Sequence, residues 1–311
     1  LSEACVARIS RFNAQGLSNC VYAFGKLKLD RKEINSSFFE AWSRECVSLM
    51  SKCNSQDLAN MLHGLGQLKP EKRELCSDFF VSISRACVDL FPRFNSQALA
   101  NAVHGIGQLG LEKRDLCDGF FEKWSEACVR SFGQFEPQQL SICSYSLGIL
   151  KIEECDLCRN FFLDWSRACI KKFPNFESQG LANAVYGIAL LKLDPRDLCN
   201  GFFESWSFEC VRAFHTFDAQ SLSNSLYSLA ELEIDSNLLH KDFFPKFAAT
   251  CLERLEGFRG AELFMTLALL DSMGTRFDST YFVKALAKRA LSCVDSLKAL
   301  RQLLIASVWF G

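Results

Sequence analysis

At 311 residues the chain is long enough for two ordinary domains or for one extended array, and its 49% hydrophobic content supports a continuous core and excludes a disordered chain. A formal net charge of −1 supplies no bulk positive field toward nucleic acid or anionic membrane, so any nucleic-acid contact has to use local basic strips. With 6 Pro and 17 Gly it is neither collagenous nor a Pro-rich linker, and no run of about 18 apolar residues marks a membrane span.

In chain order, LSEACVARISR (1–11) reads as the last turns of a helix that begins before Leu1. Nothing near Leu1 resembles a signal or transit peptide, and the expectation is a piece of a longer array whose targeting segment lies outside it. From Phe12 the chain is periodic. Phe12, Phe94, Phe135, Phe176, Phe217 and Phe258 fall on a 41-residue grid, with Cys53 in the remaining slot. Gln15, Gln56, Gln97, Gln138, Gln179 and Gln220 keep the same step, as do Leu17, Leu58, Leu99, Leu140, Leu181, Leu222 and Leu263. The Phe pairs that start at Phe38, Phe79, Phe120, Phe161, Phe202 and Phe243 keep it too. Residues 12–257 are therefore read as six repeats, 258–298 as a divergent seventh that has lost the Gln and Asn, and 299–311 as an eighth beginning or a terminal cap, with Gln302 and Leu304 on the grid.

Within one repeat, FNSQALANAVHGIGQLGL from Phe94 predicts a first helix. Phe94 and Leu99 are placed for a hydrophobic staple around a polar cap, and Leu99, Val103 and Ile106 form a buried stripe. Pro137 suits a helix start, where a missing N–H does no harm. Gly105 and Gly107, matched by Gly64, Gly66, Gly187 and Ala189, predict close helix–helix approach, since each glycine otherwise costs about 1 kcal/mol. A second helix is predicted through LCDGFFEKWSEACVRSF from Leu116, with Phe120, Phe121, Trp124, Cys128 and Phe132 on its apolar face. The Asp194-Pro195 pair reads as a helix start. No period-2 strand pattern occurs, so the predicted fold is all-α: a right-handed α-solenoid (superhelix) of 41-residue two-helix repeats.

Eleven of the 16 cysteines follow the grid, which is unlike a disulfide framework. Cys5, Cys46, Cys87, Cys128, Cys169, Cys210 and Cys251 form one set, and Cys76, Cys117, Cys158 and Cys199 another, which marks them as small buried hydrophobes in a reducing compartment. Cys155 and Cys158 make a lone CxxC with no second pair or nearby His, so no metal or other cofactor is expected. Of the histidines His63, His104, His215 and His240, the first two share a slot with Tyr22, Tyr145, Tyr186 and Tyr227, which points to packing or contact in place of general-base chemistry. No nucleophile motif, P-loop or carboxylate pair stands out, and the chain is expected to bind and not to catalyse, with no small-molecule substrate and no membrane contact.

A polar stripe on the first helix is the distinctive feature. It comprises Gln15-Asn19-Tyr22-Lys26, Gln56-Asn60-His63-Gln67, Gln97-Asn101-His104-Gln108, Gln138 with Tyr145, Gln179-Asn183-Tyr186 and Gln220-Asn224-Tyr227. Amides offer donors and acceptors and an aromatic offers a stacking plane, so a column of such sets suits an elongated ligand. Equally, the same groups can satisfy backbone polar atoms between hairpins. Beside the stripe one position varies: Gly16, Asp57, Ala98, Gln139, Gly180 and Ser221, as residue-by-residue readout would need and as any tolerated position would show. The turns carry Arg31, Lys32, Lys72, Arg73, Lys113, Arg114 and Arg196, which can follow a phosphate backbone or offset helix dipoles.

The string F-x-x-Q-x-L-[AS]-N-x-x-[YH]-x-[LI]-[GA]-x-L, as in FESQGLANAVYGIALL from Phe176, resembles the octatricopeptide and related RAP-associated repeats. The likeness spans roughly Phe12 to Leu239 and fades after Phe258. The unit here is somewhat longer than the octatricopeptide name implies, its aromatic slot holds Tyr or His where Trp is common, and no RAP domain is visible. The resemblance implies an α-solenoid of a mitochondrion or chloroplast that binds single-stranded or ribosomal RNA in maturation or translation, or that is built among the protein subunits of a mitochondrial ribosome. It also implies that the Gln-Asn-Tyr/His stripe and its variable neighbour make the contacts. The rival expectation is a protein-interaction scaffold gripping an extended peptide, as a bacterial effector would use it.

Overall fold

Each first helix starts where a polar residue follows the Phe position. Asn13, Asn54, Asn95 and Asp218 are N-caps whose side chains accept the backbone N–H three residues on, at 2.8–2.9 Å. They open α2 (Ala14–Lys26), α4 (Ser55–Leu68), α6 (Ser96–Gln108) and α12 (Ala219–Glu231). Pro137 is the first residue of α8 (Pro137–Leu150), and Glu177 precedes α10 (Ser178–Leu190). Phe94 and Leu99 are both buried beside their cap, as a staple requires.

The computed structural model describes residues 2–259, 263, 266, 284–286, 288 and 289, so most of the stretches 258–298 and 299–311, Gln302 and Leu304 included, lies outside the described residues. Among the described residues every regular element is helical, and no helix is long and apolar enough to cross a membrane.

The second-row helices are α1 (Ser2–Val6), α3 (Phe38–Leu49), α5 (Phe79–Leu90), α7 (Phe120–Ser131), α9 (Phe161–Lys172), α11 (Phe202–Ala213) and α13 (Phe243–Glu253). They begin later than the sequence pattern suggests. In the repeat quoted above the start is Phe120, not Leu116, because Leu116 is extended (φ −112°, ψ 164°) and Gly119 turns the chain at φ +72°. Likewise Asp194-Pro195 opens only a single 3-10 turn, Pro195–Asp197, before Leu198 becomes extended.

The chain forms two compact units, 1–165 and 166–311. In the first, α2, α4, α6 and α8 pack side by side in succession, and α1, α3, α5 and α7 form a second row. In the second, α10 packs on α12 and α11 on α13. Leu17, Val21, Phe38, Trp42 and Cys46 are fully buried between rows, and their counterparts in later hairpins behave alike.

Two hydrogen-bond ladders tie the helices together. Within hairpins, the indoles of Trp42, Trp124, Trp165 and Trp206 donate to the carbonyls of Leu17, Leu99, Leu140 and Leu181, each at 3.0 Å. Between hairpins, the buried hydroxyls of Ser43, Ser84, Ser125, Ser166 and Ser207 accept the backbone N–H of Cys76, Cys117, Cys158, Cys199 and His240 at 2.7–2.8 Å. These contacts satisfy polar groups that the core would otherwise leave unpaired.

The glycines do allow close approach. A Cβ on Gly64 would stand 2.7 Å from the Val21 carbonyl, and one on Gly105 would collide with the Leu62 carbonyl. The backbones of α2, α4 and α6 are thus in direct contact. Gly107 is looser, with Ser146 at an ordinary 3.8 Å.

Candidate functional site

Helical periodicity puts Gln15, Gln56, Gln97, Gln138, Gln179 and Gln220 on the exposed side of the first-row helices, opposite the buried leucine that follows two residues later. One turn on, Asn19 is exposed, while Asn60, Asn101, Asn183 and Asn224 are half-buried. A further turn brings the aromatic slot, where Tyr22, His63, His104, Tyr145, Tyr186 and Tyr227 are all half-buried. Lys26 and Gln67 at the helix ends are exposed, and Gln108 is half-buried.

Neighbouring helices bring the aromatic slots together. The rings of Tyr22 and His63 lie 5.7 Å apart, and those of Tyr186 and Tyr227 lie 5.6 Å apart. His104 Nδ1 sits 3.5 Å from Ser146 Oγ. Other contacts run along a single helix: the Gln56 amide donates to Asn60 Oδ1 at 2.8 Å, Gln67 Nε2 lies 3.1 Å from His63 Nε2, and Lys26 Nζ stands 5.4 Å from the Tyr22 ring centre. The first Gln of each set therefore stands at the surface, whereas most of the Asn and the aromatic slot are both seam and surface.

Burial, then Lys26, then His104 push His63 down to about 4, and burial followed by Lys69 lowers His104. Both imidazoles are neutral at pH 7. His63 Nδ1 is buried without a hydrogen-bond partner.

The variable position is the third residue of each first helix, and at Asp57 and Gln139 its side chain takes part in capping. Asp57, Ala98 and Ser221 are buried, and Gly16, Gln139 and Gly180 are half-buried. Asp57 returns to the Asn54 N–H at 3.1 Å and accepts the Ser18 hydroxyl at 3.3 Å, while Gln139 accepts the Glu136 N–H at 3.0 Å. The six residues at this position are thus buried or half-buried, and Asp57 and Gln139 help to close their helix starts.

The turn cations are mostly engaged with acids. Arg31 pairs with Glu74, Lys72 with Asp115 and Lys113 with Asp156, each reaching the following turn. Arg73, Arg114 and Arg196 pair locally with Glu71, Glu112 and Asp194. Only Lys32 of this group is exposed with no ion pair among the described residues. Alternating charge leaves this edge close to neutral, so it exerts little net pull on a phosphate backbone.

Cys46, Cys87, Cys128, Cys169, Cys210 and Cys251 are buried, and every described cysteine is free. Burial raises the thiols of Cys46, Cys87, Cys128, Cys210 and Cys251, which keeps them protonated and unreactive. Cys155 is exposed and Cys158 half-buried, and no group of three metal-ligating side chains occurs among the described residues.

One row escaped the sequence reading. At or just after the C-cap of each first helix stands a residue with positive φ: Lys28 (50°), Lys69 (48°), Gly110 (62°), Lys151 (52°), Lys192 (53°) and Glu233 (51°). Four lysines hold a conformation that suits glycine. The recurring Leu-Lys pairs that end at Lys28, Lys69, Lys151 and Lys192 keep the 41-residue step, but a lysine carries no signal for the left-handed conformation.

No protein-family model matches the chain, and no curated protein matches it significantly.

Proposed function

We propose that this chain is an RNA-binding helical-repeat protein, a right-handed superhelix of 41-residue hairpins whose first-row helices meet a single strand. The carrying observation is the column of exposed Gln, adjoining Asn and half-buried Tyr or His on successive first-row helices, with rings 5.7 Å apart at Tyr22–His63. Amides can bond base edges in any orientation, and a ring exposed on one side offers a stacking plane. The octatricopeptide-like sequence pattern supports the same assignment and, with it, work in an organelle: a mitochondrion, in RNA maturation or translation, or within a mitochondrial ribosome beside protein subunits. Catalysis and small-molecule turnover form no part of the proposal.

One observation favours the protein-scaffold alternative. The ion-paired turns leave the hairpin edge near neutral, which suits an extended peptide as well as RNA. Binding to a pool of short single-stranded RNAs across a salt series separates the two. RNA binding predicts measurable affinity at low salt that weakens steeply as salt rises. Replacing Asn101 and His104 together by Ala should weaken it with helicity and melting temperature unchanged. No binding at low salt would refute RNA as the ligand, and a collapse in stability would make the pair structural.

A further inference from the structure

The first-row helices of the 1–165 unit end in clefts that collect positive charge. One cleft of about 490 Å³ runs across the ends of α2, α4 and α6 and is lined by Lys26, Lys28, His63, Gln67, Lys69 and Gln108. A neighbouring cleft of about 250 Å³ is lined by Lys69, His104, Tyr145 and Ser146. Lys26, Lys28, Lys69 and Lys151 make no ion pair among the described residues, in contrast to the turn cations a few residues away. The helix-end carbonyls are largely closed already: the N–H groups of Leu27, Lys69 and Leu109 return to the last turns, and Arg31 donates to the Lys69 carbonyl at 3.1 Å. What the clefts present outward is therefore ammonium, amide and aromatic groups.

Lysine is an odd choice at these positions. A left-handed residue with a Cβ costs about 1 kcal/mol relative to glycine, and Gly110 shows that glycine fits the place. Offsetting the helix dipole is not a sufficient reason, because Glu233 occupies the equivalent position with the unfavourable sign.

We propose that these clefts are phosphate seats, in which Lys28 and Lys69 hold successive phosphodiester groups of a single RNA strand whose bases lie toward the Tyr22–His63–His104 row, and that Lys151, at the end of α8 and outside the lining of both clefts, holds the next. This assignment rests on the RNA-binding function above and moves the backbone contacts from the turns to the helix ends. Charge complementarity selects the occupant: cations in no ion pair among the described residues stand next to imidazoles and amide donors in clefts whose lining holds no carboxylate. Burial first, and then Lys26 for His63 and Lys69 for His104, lowers both imidazoles, so neither adds positive charge of its own to the clefts at pH 7.

The test compares wild type with a Lys28→Gly, Lys69→Gly, Lys151→Gly variant, which removes charge while relaxing the backbone. An equal-charge control, Arg44→Gln, Arg85→Gln, Arg130→Gln, alters exposed residues of the second row. Probes are a short oligouridylate, inorganic tripolyphosphate and an oligoglutamate peptide. The glycine variant should melt no lower than wild type, bind oligouridylate at least about tenfold more weakly, and lose about 2 from its salt slope, as three single-strand contacts at ~0.7 each require. The control should bind as wild type does. Tripolyphosphate should shift the His63 and His104 ring signals in wild type and leave them in place in the glycine variant. Unchanged oligouridylate affinity in the glycine variant, or an equal loss in the control, overturns the seats. If tripolyphosphate binds in this lysine-dependent way but oligouridylate does not bind at all, the seats stand and RNA binding is refuted. If neither binds, both fall. Oligoglutamate competing as well as oligouridylate overturns a phosphodiester as the occupant.

Discussion

The two units build the same helix ends and charge them differently. In 1–165 the first-row helices finish on Lys26, Lys28, Lys69 and Lys151 with no acid paired to them, and the titrating groups nearby, His63 and His104, feel lysines. In 166–311 the equivalent helix end carries Lys192, which pairs with Glu231 at 3.3 Å, and Glu233 takes the next left-handed position. There the titrating neighbour is Tyr227, raised by burial and then by the Glu231 carboxylate. The aromatic slot also changes from Tyr-His-His-Tyr to Tyr-Tyr. The positive-φ helix end recurs in both units while its charges differ, lysines in no ion pair among the described residues in the first and a Lys192–Glu231 pair with Glu233 in the second, so shape is held by the apolar and glycine positions and charge is free to vary. An anionic ligand should engage the first unit far more strongly than the second.

The harshest way to break that comparison is to separate the helices that form the first unit's clefts. Gly105→Val forces a side chain into the Leu62 carbonyl and should cost about 3 kcal/mol or more, read from chemical denaturation. Native-like stability in that variant would show that α4 and α6 are not in backbone contact. Next in size, Ser125→Ala leaves the half-buried Cys158 N–H without its acceptor and should cost about 1–2 kcal/mol, and Ser207→Ala should do the same in the second unit through His240. Unequal losses would mean that the serine ladder bears different loads in the two units.

Acid should weaken the units unequally. A histidine whose folded pKa is lowered binds its proton in the unfolded chain first, so its stabilising effect is complete above the unfolded value of about 6.5 and is lost as pH falls toward the folded value. For His63 that window runs from about 6.5 down to about 4. Its partial exposure discounts the total to the order of 1–2 kcal/mol. His63→Tyr, which copies the residue of the second unit's slot, should flatten this part of the pH–stability curve, and an unchanged curve would place the acid sensitivity elsewhere. The smallest effect sharpens the comparison most directly. Exchanging the helix-end charges of the second unit by Glu231→Gln and Glu233→Lys should change stability by less than about 1 kcal/mol and raise affinity for oligouridylate severalfold. No gain would mean that helix-end charge does not set ligand preference.

Local regularity made much of this legible in advance. The staple of Phe94 and Leu99, the caps at Asn54 and Asn95, the buried Leu99-Val103-Ile106 stripe and the close-packed glycines are properties of one helix and its nearest partner, so a residue period carries them. The start of the second helix was misplaced because Leu116 and Cys117 look apolar and helical, while the chain there is extended and turned by Gly119. The burial of the variable position was not legible, because exposure there depends on the neighbouring hairpin, as where Asp57 accepts the Ser18 hydroxyl.

By itself the sequence determined the helical hairpin, its period, which faces are apolar and which residues share the polar stripe, since spacing along a helix decides those. Only tertiary packing decided which charges survive. Lys72 and Asp115 lie 43 residues apart, and their neutralisation depends on the offset between successive turns. The same offset leaves Lys28 and Lys69 beside imidazoles and amides instead of carboxylates, because a charge's partners are set by the neighbouring hairpin and not by its own.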